Sequence, residues 1–229
     1  MDSIPRESKT VAATAYVGEA LLPAIPVVGS SIAYVFGRAI HRKQEENLRS
    51  WLEDLKGKVD ELEVEVGRLA DDADFNETFN AAAAAAGRTA HQAKLVALRN
   101  AVLNSAMPGP GLENDYPLRF IRIIEEMVPD HLRLLTYADD PMDWFTSQNL
   151  DTSMPSASRP SLALKAMGWD SAQRDRLARL VEDLVAWRLV GTSMLKPTNG
   201  SVSGLLDGRQ TTSDGHLFTQ YVHEPEPLS

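Results

Sequence analysis

Between Leu48 and Leu69 the apolar residues Leu48, Leu52, Leu55, Val59, Leu62, Val66 and Leu69 follow one another at spacings of 4, 3, 4, 3, 4 and 3. That alternation is the a/d seam of a coiled coil, which commits the stretch to helix and demands an apolar partner along its length. The residues just before and between them, among them Glu45, Glu46, Glu53, Asp54, Lys56, Lys58, Asp60, Glu61, Glu63 and Glu65, form a solvated face of mixed sign. Gly57 and Gly67 weaken such a helix by ~1 kcal/mol each relative to alanine, but neither lies on the seam. The partner nearest in sequence begins at Asp74, an N-cap with Glu77 three residues on. This predicts a helix from Phe75 to about Ala106, carrying Phe79, the alanines 81–86, Leu95, Leu98, Val102 and Leu103. An antiparallel hairpin of 38–70 against 75–106 is the expected arrangement, with a homodimeric coiled coil as the alternative.

The apolar content is high enough to supply a core: 43% of the 229 residues are hydrophobic and 24% charged, so wholesale disorder is excluded. That length allows one large domain or two small ones. The balance of 23 Lys+Arg against 32 Asp+Glu gives a net charge of -9, which argues against a general polyanion binder. The absence of cysteine excludes disulfides, thiolate metal sites and cysteine nucleophiles.

Ahead of the seam the composition changes. Residues 1–10 read as a polar tail, and from Val11 to Ile40 the only charged residues are Glu19 and Arg38. The uncharged run Ala20–Gly37 is 18 residues long, marginal for a spanning helix that needs ~20. Pro23, Pro26 and Gly29 interrupt it, since each proline removes a donor and clashes with the preceding turn. No basic flank or small-residue cleavage site marks it as a secretory signal. Two readings follow. Either 11–22 and 30–40 are short buried helices joined by an elbow, or the segment is a hairpin that leaves the soluble fold to enter a bilayer or a partner. In the second reading Leu21, Leu22, Ile25, Val27, Val28, Ile32, Val35 and Phe36 provide the contact surface.

Pro108-Gly109-Pro110-Gly111 ends the first helical region, 11–106, and lacks the lysine and glycine spacing of a phosphate loop. Short helices are expected over 112–145: one at Leu118–Met127, one opened by Pro129 in the first turn, and a short segment after Asp140-Pro141. The polar stretch 146–161 is the best internal boundary. Beyond it, 158–222 reads as a module: a helix from Pro160 to Met167, then a helix from about Ala172 to Val190 capped by Asp170 or Ser171. Gly191 would stop that helix, turn-rich pieces over 192–212 would form a small β-hairpin, and Thr212 or Ser213 would cap a last helix ending at Val222. Residues 223–229 are expected to be a disordered tail. Helix, helix, β-hairpin, helix is the order of a winged-helix-like module, so the expected fold is mainly α. A helical hairpin or coiled-coil region would be followed by that α+β module.

The runs LVALRNAVLNSA (95–106), PDHLRLLTYADDP (129–141) and TTSDGHLFTQYV (211–222), preceded by an apolar IPVVG element and a charged helix, resemble a family of uncharacterised bacterial proteins. The organisation is also distantly similar to abortive-infection alpha proteins. Both resemblances imply an α-rich fold without assigned catalysis, and the second implies phage defence.

For chemistry the sequence offers little. The histidines at 41, 91, 131, 216 and 223 show no metal-ligand spacing, and Gly200–Gly204 has valine where a nucleophile elbow needs serine. Glu125-Glu126 and Asp139-Asp140 are adjacent rather than facing pairs, and Asp139-Asp140-Pro141 reads as turn punctuation. No catalytic residue, metal or cofactor is therefore assigned. The expected function is a non-enzymatic bacterial interaction protein, a phage-defence effector acting by membrane or protein contact through 11–40. It would be cytoplasmic and peripheral at the inner membrane, with another protein or a second copy of itself as partner. The first alternative is a dimeric DNA-binding regulator using Arg174, Arg176, Arg179, Lys196 and Arg209, although over 158–229, module and tail together, eight basic and eight acidic residues cancel. The second is a soluble scaffold or adaptor.

Overall fold

The computed structural model describes residues 31–62, 69, 71–106, 116–197 and 199–225, with side chains from residue 42 onward. Residues 11–30, Val66, the Pro-Gly break at 108–111 and the last four residues lie outside them, as does the tail 1–10. The fold is mainly α.

Helix α1 (Ser31–Glu61) carries the seam positions Leu48, Leu52, Leu55 and Val59; Leu62 follows its end, and the expected helix over 38–70 is described as a continuous element only to Glu61. Leu55 and Leu62 are buried, and Leu48, Leu52 and Val59 pack partly buried against the same core. The side chain most deeply buried on α1 is none of these: Trp51 is 2% exposed and donates its indole N–H to the Leu95 carbonyl at 3.0 Å. Helix α2 (Ala73–Arg88) returns antiparallel to α1, with the Trp51 and Phe79 rings 6.3 Å apart. Its cap is Asp72, whose Oδ1 accepts the amides of Asp74 and Phe75, two residues before the expected cap Asp74.

The single helix expected over 75–106 is two. The chain breaks at Thr89–His91, and α3 (Gln92–Ala106) turns to run beside α1 in the same direction. The break is set by tertiary partners: Thr89 Oγ1 accepts the His91 amide, and the Thr89 carbonyl accepts Asn47 Nδ2 at 3.0 Å. A straight 32-residue helix would extend ~48 Å and leave its second half unpacked. Folded at Thr89, both halves cover α1.

Helices α4 (Tyr116–Glu126), α5 (Pro129–Asp139) and α6 (Pro141–Ser147) follow the expected punctuation, with Pro129 and Pro141 in first turns. After the polar stretch come α7 (Arg159–Met167), a 3-10 turn at Ser171–Gln173 capped by Asp170, and α8 (Arg174–Ala186). The last helix, α10 (Ser213–Val222), is capped by Thr212, whose Oγ1 accepts the Gly215 amide. It packs against α3 and α5, and Phe218 meets Phe120 of α4 edge-to-face at 5.1 Å. One cluster of buried side chains runs from Trp51 through Phe120, Tyr137 and Leu184 to Tyr221. Each large apolar side chain in it is worth about 1.5–3 kcal/mol of burial.

Three expectations need correction here. The β-pair is not a hairpin within 192–212: β1 (Ala157–Ser158) pairs antiparallel with β2 (Asn199–Gly200), across the two intervening helices. Residues Val202–Leu206 form a short helix, α9, and an isolated bridge between Val190 and Thr211 closes the base of this excursion. Helix α8 ends at Ala186 rather than Val190, and Gly191 is not its stop. Finally, the start of the expected tail is held: Asn104 Nδ2 donates to the carbonyls of Tyr221 and His223. Glu224 also pairs with Lys58.

Candidate functional site: an arginine-lined cleft

Two elements far apart in sequence build an open cleft of about 380 Å³. Helix α4 contributes Arg119, Arg122, Ile123 and Glu126, and the end of α8 contributes Ala186, Trp187 and Arg188. The α4 residues share a stripe because positions three and four apart lie on one helix face. The opposite face of α4 buries Phe120 and Ile124 in the core, which fixes the stripe toward α8.

Arg119 is the anchored cation. Its guanidinium donates to Asp214 Oδ2 at 2.8 Å and to the Trp187 carbonyl at 2.9 Å, so it ties α4 to α10 and to the end of α8. The Arg119 hydrogen bond, above all, holds the Asp214 carboxyl below its ordinary range; burial opposes this, while the Tyr116 hydroxyl and the charges of Arg119 and Arg188 assist. Trp187 forms the apolar wall. Its indole N–H donates to Glu126 Oε2 at 3.2 Å, and the His131 ring stands edge-to-face to it at 5.0 Å.

Arg188 sits at φ 63, in the left-handed region. The Leu189 amide bonds back to the Leu184 carbonyl at 2.8 Å and the Arg188 amide to that of Val185, the pattern of a Schellman stop. Helix α7 ends the same way, with Trp169 bonding to Leu164, but there the left-handed residue is Gly168 at φ 71. Two equivalent stops thus use glycine once and arginine once, and a residue with a Cβ costs roughly 1–2 kcal/mol more there.

Of the sequence-predicted site residues, Leu21, Leu22, Ile25, Val27 and Val28 lie outside the described residues. Ile32, Val35 and Phe36 fall in the first turns of α1, where only the backbone is described. The five cations of the nucleic-acid alternative are not gathered into one free face. Arg176 pairs with Asp130 and lies over the Trp169 ring at 4.7 Å, and Arg209 pairs with Asp139 at 3.2 Å. Arg174, Arg179 and Lys196 are exposed.

Asp139 also collects His216 Nδ1 at 3.0 Å and the Thr211 hydroxyl at 2.7 Å, so it joins α5 to the start of α10. Among the described residues, no group of three His, Asp or Glu side chains could hold a metal ion, and no helix is long and apolar enough to cross a membrane.

The cleft was not legible from motif inspection. Arg119 and Arg122 carried a faint signal, as cations on one face of a short helix in an acidic chain. Arg188 carried none, because the sequence places it inside the last turn of a helix expected to run to Val190. No protein-family model, curated protein or solved structure matches this chain significantly.

Proposed function

We propose that this protein is an interaction protein rather than an enzyme, and that its contact element is the apolar segment 11–40. The observation that carries this reading is the polar collar on α1. Trp51 is buried and Asn47 and Leu48 are half-buried, whereas Arg42, Lys43, Glu45 and Glu46 are exposed. A charged, solvent-facing stretch therefore separates the packed part of α1 from the uncharged run Ala20–Gly37. The seam supports the reading from the other side, because Leu55 and Leu62 are buried and Leu48 and Leu52 pack partly buried against α2 and α3 of the same chain. Segment 11–40 is then, on this reading, the apolar element that meets a bacterial inner membrane or a protein partner.

Its contact residues Leu21, Leu22, Ile25, Val27, Val28, Ile32, Val35 and Phe36 would each gain about 1.5–3 kcal/mol on burial. The likeness in organisation to abortive-infection alpha proteins supports a defence effector as the setting. The DNA-binding alternative is weakened, with Arg176 and Arg209 spent on internal carboxylates. Val28→Asp with Phe36→Asp tests the proposal: binding to lipid or to a partner is lost while the helical fold, read by circular dichroism, is retained. Binding that survives both charges would overturn it.

A further inference from the structure

We propose that the cleft between α4 and the end of α8 is an anion site for a phosphomonoester group, as carried by a nucleotide or a sugar phosphate. The inference is independent of segment 11–40 and rests on three observations.

The first is charge placement. In a chain of net charge -9, three arginines converge on one cleft, opposed there by Glu126 and the adjoining Asp214. Asp214 is occupied by Arg119 and Tyr116, and Glu126 by the Trp187 indole. Among the described residues, the side chains of Arg122 and Arg188 make no hydrogen bond and no ion pair within 4.0 Å. Two guanidinium groups without a hydrogen bond or close ion pair among the described residues match the two charges of a phosphomonoester, and their planar forks suit its oxygens.

The second is preorganisation. Arg119 is fixed by Asp214 and by the Trp187 carbonyl, so one donor group needs no ordering when a ligand arrives. A volume of about 380 Å³ is in the range of small-molecule sites, and the Trp187 ring supplies an apolar wall for the moiety that carries the phosphate.

The third is the backbone. Arg188 holds a left-handed stop that Gly168 holds in the neighbouring helix at lower conformational cost. A costly residue at a site where glycine suffices points to a use for its side chain, and that side chain lines the cleft.

The same backbone feature separates binding from folding. Arg188→Gly removes the cation and relieves the left-handed strain, so it is expected to raise the melting temperature of the full chain while weakening the site. Titration of the full-length protein with inorganic phosphate and with adenosine monophosphate, at constant ionic strength, is followed by backbone amide shifts in NMR. Saturable shifts at the amides around Trp187 are expected, with affinity falling roughly tenfold or more in Arg188→Gly and in Arg122→Gln.

Absence of saturable binding by either probe would overturn the proposal. So would binding that both variants leave unchanged. Binding of a phosphoserine peptide but of neither small molecule would assign the cleft to a protein partner, and would overturn the small-molecule reading.

Discussion

His131 Nε2 lies 3.2 Å from Asp183 Oδ2, while its Nδ1 accepts the Val128 amide at 3.0 Å. A ring nitrogen that accepts from a backbone N–H carries no proton, so the neutral ring bears its proton on Nε2 and donates it to Asp183. The contact is therefore a hydrogen bond from a neutral ring to a carboxylate rather than an ion pair. Through it His131, 3% exposed, closes the N-terminus of α5 and locks α5 to α8 directly behind Trp187.

A pH dependence follows from that geometry. Burial pushes the His131 pKa below its ordinary value; the charges of Asp183 and Asp130 oppose the shift, and Lys94 adds to it. The unfolded chain then binds the proton more readily than the folded one, so His131 removes stability as pH falls through about 6.5 toward the folded value. His131→Asn keeps a side-chain acceptor for the Val128 amide and cannot titrate. Urea denaturation between pH 7.5 and 5.5 is expected to show a smaller loss of stability in the variant than in wild type. Equal slopes would remove His131 as the source.

How far the fold could be read from the sequence varies with the kind of signal. The α1 seam, the proline-opened helices α5 and α6, the stripe of Leu177, Leu180, Val181 and Leu184 on α8, and the Thr212 cap were legible, because periodicity and caps are local properties. Trp51 was not, since it lies one position off the seam and earns its burial through a hydrogen bond to α3. The break at Thr89 depends on Asn47, forty-two residues upstream. The stop at Arg188 defeats propensity outright, because a left-handed arginine has no sequence signature. The cleft shares that fate: it requires α4 and the end of α8 to meet, which is a statement about packing.

The end of α10 is held through Arg99, which is only 7% exposed. Arg99 donates to both Asp54 oxygens at 3.0 and 3.2 Å and to Asn100 Oδ1, while Asn100 Nδ2 holds the Val222 carbonyl. Removing Asp54 leaves this buried cation with Glu224 Oε2, 3.8 Å away, as its remaining carboxylate, so Asp54→Ala is expected to cost about 1–3 kcal/mol in chemical denaturation. Arg99→Met, which removes the charge as well, is expected to cost less than Arg99→Ala, which also opens a void.

Gly215 packs α10 against the turn after α8. A Cβ there would stand 1.9 Å from the Leu189 carbonyl oxygen, which already accepts the Thr212 amide. Gly215→Ala is expected to destabilise by about 3 kcal/mol or more, read as a lowered midpoint in thermal melts, because backbone rather than a flexible side chain must move.

The two left-handed stops give opposite signs. Gly168→Ala is expected to lose about 1 kcal/mol and Arg188→Gly to gain a similar amount, both measurable as shifts in the urea midpoint. The Cβ of residue 168 would meet nothing within 4 Å, so the loss there would be conformational alone.

The proposed contact role of segment 11–40 is tested most directly by flotation of the full-length protein with vesicles of anionic bacterial-type lipid, beside the Val28→Asp, Phe36→Asp variant. A parallel pull-down from a bacterial lysate uses the same two proteins. The expected result is that wild type floats or retains a specific partner and the variant does neither, with unchanged helical content. Contact that is equal in both proteins, or absent from both in both assays, would contradict the role assigned to the segment.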